Sequence, residues 1–144
     1  MQLEGNRHFL AENPVSSDMW KLPEWITLQQ HPQTCATTLH QCMYGLTDPD
    51  GKPTMKPTRL LASHPVLLED LCTSCDNSHQ HETLQGSTRG ILRTRYAQTW
   101  PRRLVELMVR NIKRLLDTHH ELHFFVRSDS THSLPCFVHP MSGM

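Results

Sequence analysis

Within ten residues the chain places two thiols and two imidazoles in the order Cys72-x2-Cys75-x3-His79-x-His81. Sulfur and imidazole nitrogen are the donors that zinc takes up tetrahedrally, which makes this segment a candidate metal site. In extended chain, residues two apart point the same way, so His79 and His81 would both turn toward one ion; on a helix they would not. Structural fingers usually leave a dozen or so residues between their two ligand pairs. The three-residue gap here demands a tight knuckle. Cys42, far upstream, completes Cys75, His79 and His81 as well as Cys72 does, and that choice would staple a distant hairpin to the cluster. The pair His119-His120 closes a helical stretch and reads as surface residues stabilised by the helix dipole.

A second centre is Glu12-Asn13-Pro14, a carboxylate at the end of an expected strand, where open α/β sheets hold their ligands. Such a carboxylate could hydrogen-bond a base or another polar substrate. Cationic side chains fall in two patches: Lys52, Lys56 and Arg59 beside Tyr44, and Arg89, Arg93, Arg95, Arg102 and Arg103 interleaved with Tyr96 and Trp100. Of these, Lys56, Arg93, Arg95, Arg102 and Arg103 are the candidate phosphate contacts for a nucleic acid. Trp20 and Trp25 read as core anchors. No phosphate-binding glycine loop, nucleophile elbow, His-Glu-x-x-His pair or dinucleotide fingerprint occurs, and no cysteine has a neighbour set that would activate it. No complete active site is visible, so the isolated chain is not expected to be an enzyme.

The elements that must position these residues are few. The 144 residues suffice for one domain with a modest core, since hydrophobic residues make up only 37% and prolines number 10. Fourteen basic residues balance fourteen acidic ones, so only a local patch could attract nucleic acid or an anionic surface. Strands are expected at His8–Glu12, stopped by Asn13-Pro14, and at Thr34–Gln41 and Lys56–Ser63, an antiparallel hairpin with a long mobile tip rich in turn formers. A broken helix over Asp18–Lys21 and Glu24–Gln30 crosses between the first two strands, and a short helix spans Val66–Thr73. The clearest helix runs from Arg102 to about Thr118, with Leu104, Leu107 or Met108, Asn111 or Ile112, and Leu115 on one face. A last strand, Leu122–Arg127, precedes a loosely ordered tail; the expected division is a domain over 1–120 and a tail over 121–144. The start of the chain has no signal-peptide pattern, and no apolar run approaches the roughly 20 residues of a membrane span. An intracellular protein, nuclear or cytoplasmic, with reduced or metal-bound thiols is expected.

Read in order, Phe9-Leu10-Ala11-Glu12-Asn13-Pro14, Ser17 with Trp20, Gln41-Cys42-Met43-Tyr44-Gly45-Leu46, Lys56-Pro57-Thr58-Arg59-Leu60-Leu61, Cys75-x3-His79-x-His81, Leu84-x-Gly86 and Ala97-x2-Trp100-Pro101-x2-Leu104 resemble the methyltransferase-like region of copia-type retroelement polyproteins. The likeness spans about Gly5 to Arg114. It implies an α/β fold with a partial Rossmann-like sheet of three or four strands, one antiparallel hairpin, flanking helices and a Cys/His-rich loop, corresponding to the carboxyl-terminal half of a cytosine-5 DNA methyltransferase-like domain. By that resemblance Glu12 would be the carboxylate that holds the target base, and Arg59 would support it. The half that would bring S-adenosylmethionine and a Pro-Cys nucleophile would have to come from an upstream domain or partner chain. The expectation is a non-catalytic, retroelement-derived fragment; a zinc-stabilised module that binds nucleic acid or protein, and one half of an active methyltransferase, are the alternatives.

Overall fold

The computed structural model describes Leu3, Gly5 and residues 7 to 121, the side chains of 119 to 121 excepted. It is a mixed α/β arrangement built on a three-stranded antiparallel sheet: β1 (Leu10–Pro14), β2 (Cys35–His40) and β3 (Pro57–Ala62), in the order β1-β3-β2. Both outer strands run antiparallel to β3, with Glu12 opposite Leu60, Asn13 opposite Arg59, and Thr38 opposite Arg59 from the other side. As the middle strand, β3 is covered on both faces, so consecutive residues Leu60 and Leu61, which point to opposite sides, are both fully buried.

One face of the sheet carries the main core. Cys35, Leu39, Leu60 and Ala62 pack with Leu67, Leu68 and Leu71 and with Leu104, Met108 and Leu115 of the long helix α3 (Arg102–Glu121). Asn111 of α3, fully buried, donates to the Glu69 carbonyl at 2.8 Å and so ties the helix to the 3-10 turn at Pro65–Leu68. The other face carries a 3-10 turn at Asp18–Lys21, capped by Ser17, and α1 (Pro23–Gln29), which opens on a proline whose missing N–H costs nothing there. Trp20, 5% exposed, anchors this side; its indole N–H donates to the Pro14 carbonyl at 2.8 Å, and Trp25 meets it edge to face. A two-stranded hairpin of β4 (Ser87–Thr88) and β5 (Ile91–Leu92) and the single turn α2 (Arg93–Tyr96) complete the described chain.

Three expectations need correction. The first strand does not stop before Pro14 but includes it, because β1 is an edge strand and a residue lacking an N–H is tolerated at its end. The helix expected over Val66–Thr73 is only the 3-10 turn Pro65–Leu68; Asp70 takes a left-handed φ of 58°, and its carbonyl accepts the Tyr44 hydroxyl at 2.9 Å. The hairpin tip is organised rather than loose, since one Asp48 carboxylate oxygen accepts the Asp50 and Lys52 N–H groups, each at 2.9 Å. The strand expected at Leu122–Arg127 and the tail lie outside the described residues. Among the described residues no helix is long and apolar enough to cross a membrane.

Candidate metal centre and adjoining cleft

Between β2 and β3 the chain makes a 3-10 turn, Gln41–Tyr44, closed by Gly45 at φ 94°, a conformation that a side chain would strain. This turn carries Cys42. Across from it runs Thr73–His81, which has no helix or strand and is stitched down by hydrogen bonds from the His40 N–H to the Thr73 carbonyl, from the Cys75 N–H to His40 Nδ1 and from the Thr73 N–H to Tyr44 Oη, all 3.0 to 3.1 Å. The knuckle that the short spacing demands is present. Asn77 adopts φ 60°, which asparagine tolerates well, its N–H donates to Cys75 Sγ at 3.3 Å, and Asp76 caps the Ser78 N–H at 3.0 Å. That capping holds the Asp76 carboxyl below its ordinary range.

Through this turn Cys42, Cys75, His79 and His81 converge, each offering one donor atom, and all four atoms lie within 4.8 Å of one another. Cys75 Sγ is 3.6 Å from His79 Nε2 and 3.3 Å from His81 Nε2. A tetrahedron with metal bonds of about 2.0 to 2.3 Å has edges of roughly 3.3 to 3.8 Å, so these two separations already match its edges. Burial, then the neighbouring Cys75, pushes the Cys42 thiol up to about 11. A bound cation would reverse that by favouring the thiolate. Of the two fourth members that spacing left open, Cys42 is the one in this group.

On the core side of β1 the Glu12 side chain, 11% exposed, accepts from Gln41 Nε2 at 3.3 Å and lies 3.7 Å from Lys56 Nζ, all through Oε1. Its second oxygen receives no hydrogen bond from the described residues. Lys56, 13% exposed, also donates to the Ala97 carbonyl at 3.1 Å. Glu12, Asn13, Pro14 and Lys56 form one wall of a cleft of about 390 Å³, and Leu84, Thr94, Gln98 and Trp100 form the other. That volume falls within the range of small-ligand pockets. The cleft and the metal group adjoin through consecutive residues: Gln41 supports Glu12, and Cys42 follows it.

The remaining candidates are dispersed. Arg59 lies on the opposite sheet face from Glu12, its guanidinium 5.6 Å from the Trp20 ring and donating to Gln29 Oε1 at 3.1 Å, so it buttresses α1 and takes no part in the cleft. Arg93 binds Glu82 at 2.5 Å and the Thr88 hydroxyl at 3.0 Å, an internal stitch. Arg102 pairs with Glu106, and Arg95 and Arg103 are exposed. Gln41 opens one of the motifs of the resemblance, which implies no role for it; its contacts with Glu12 and Thr58 appear only in the fold. Compared with known proteins, the chain matches no family model, no curated protein and no solved structure.

Proposed function

We propose that the chain is a zinc-stabilised binding module, not an enzyme by itself, in which the metal locks the Thr73–Glu82 segment against the β2–β3 connection and so anchors the chain that leads into the far wall of the Glu12 cleft. The observation that carries this reading is the convergence of two sulfurs and two imidazole nitrogens within 4.8 Å, drawn from residues 42 and 75 to 81. That donor set favours zinc over the hard cations, which prefer oxygen. Elemental analysis of the purified protein should return one zinc per chain, with Cys75→Ser and His81→Ala losing it. A metal-free protein with an unchanged thermal midpoint on adding zinc would refute the reading.

A second reading is favoured by one observation, the half-free carboxylate of Glu12, in the middle of β1, facing a cleft. In it the three strands are the carboxyl-terminal part of a larger Rossmann-like sheet from a retroelement methyltransferase-like region, Glu12 holds a nucleobase, and S-adenosylmethionine arrives only with the completing half. The chain alone should then show no heat of binding with S-adenosylmethionine by calorimetry; saturable binding would mean that no half is missing.

A further inference from the structure

Helix α3 has two apolar faces, and the fold uses one. Leu104, Met108 and Leu115 are buried, whereas the neighbouring line Val105, Val109, Ile112 and Leu116 is 37%, 59%, 43% and 57% exposed. These four are spaced by four, three and four residues, the alternation of a coiled-coil seam. Glu106 and Lys113 each follow a member of the line by one residue and flank it on the same edge. The opposite edge is Met108 and Leu115, already occupied by the core.

We propose that this line is a self-association surface on which two copies of the chain pair antiparallel about a two-fold axis. In that arrangement Val105 meets the second copy's Leu116, Val109 meets its Ile112, and Glu106 comes opposite its Lys113, twice by symmetry. A parallel pair would set the charged edge against the core-facing edge and leave both charges without partners. In the single chain Glu106 holds Arg102, while Lys113 makes no ion pair among the described residues. The formal net charge of zero adds no long-range repulsion between copies. One helix pair buries less than about 1,200 Å², so the dimer is reversible and concentration-dependent.

Sedimentation velocity on the full, zinc-loaded chain over a hundredfold concentration range should show monomer passing to dimer. Val109→Glu should leave only monomer, with circular dichroism and zinc content unchanged. Glu106→Lys and Lys113→Glu should each be monomeric, yet an equimolar mixture of the two should dimerise, because every cross-pair is again opposite in sign. These two exposed substitutions keep the proposal testable if Val109→Glu fails to fold. A chain that stays monomeric at every concentration, a Val109→Glu chain that still dimerises, or a mixture that does not recover the dimer would each overturn the proposal.

Discussion

Two thiols of this chain share a direction of shift and differ in fate. Cys35 lies in the core, 8% exposed, and burial pushes its thiol up to about 11 from 9.0. A group raised in the folded state stabilises fully below its unfolded value and loses that contribution as pH rises through the folded one. The protein should therefore lose stability between pH 9 and about 11, by on the order of 2 kcal/mol from Cys35. Thermal midpoints of the parent and of Cys35→Ala across that window test it: the variant should fall less steeply, and parallel curves would exclude the effect. On the proposed zinc reading Cys42 would face the opposite demand, giving up its proton to the metal, so zinc affinity should weaken as pH falls. Glu12 is the other decisive residue. Glu12→Gln keeps an acceptor for Gln41 but removes the counter-charge of Lys56, a nearly buried cation. At 3.7 Å and with both side chains 11 to 13% exposed, the pair stands between surface and buried ion pairs. A loss of about 1 to 2 kcal/mol is expected in urea unfolding, and no change in midpoint would mean that Lys56 is held by the Ala97 carbonyl alone.

Among elements, local pattern revealed what local forces decide. The runs Thr34–Gln41 and Lys56–Ser63 were legible as strands because turn formers bound them, and α3 because its core stripe repeats through about three turns. Pro14 misled because proline reads as a stop until the strand is known to be an edge. The shortened turn at Pro65–Leu68 was hidden because Tyr44, more than twenty residues away, supplies the hydroxyl that bends Asp70. The metal group divides likewise. Cys75, His79 and His81 announce themselves by spacing, which leaves Cys42 and Cys72 as alternative fourth members; the fold between β2 and β3 brings Cys42 into the group. The joint between α3 and the turn before Asp70 shows which contacts matter. Arg110 to Asp70 is a half-exposed pair worth about 0 to 1 kcal/mol, while Arg114 reaches a Glu69 carboxylate that is only 13% exposed. Asn111 is fully buried, and its loss strands the Glu69 carbonyl. Asn111→Ala should cost about 2 kcal/mol in urea unfolding and exceed Arg110→Ala; the reverse order would show that the ion pairs hold the joint.

At the scale of the whole molecule, cohesion is unevenly distributed. The hydrophobic cluster takes its members from residues 35 to 71 and 104 to 115 and none from Thr73 to Tyr96. That intervening stretch closes the cleft, yet it is held by hydrogen bonds, by Glu82 bridging Lys52 and Arg93 and by Arg89 on Asp50, and it carries three of the four converging donors, which a bound metal would join. Partly exposed ion pairs contribute about a kilocalorie at most. Zinc binding in small structural sites is worth roughly 10 to 16 kcal/mol, so the metal should dominate the order of this stretch while the sheet and α3 stand on apolar burial. Chelation should therefore divide the molecule into two tiers. Hydrogen exchange should quicken sharply from Cys42 to Tyr44 and from Thr73 to Leu92, while the amides of Leu60 to Ala62 and of Leu104 to Leu115 keep most of their protection. Global loss of protection would place the metal at the centre of the fold rather than at its margin. Unchanged exchange at Cys75 to His81 would mean that the donors converge without a metal to bind, and that the cleft wall stands on its ion pairs and hydrogen bonds.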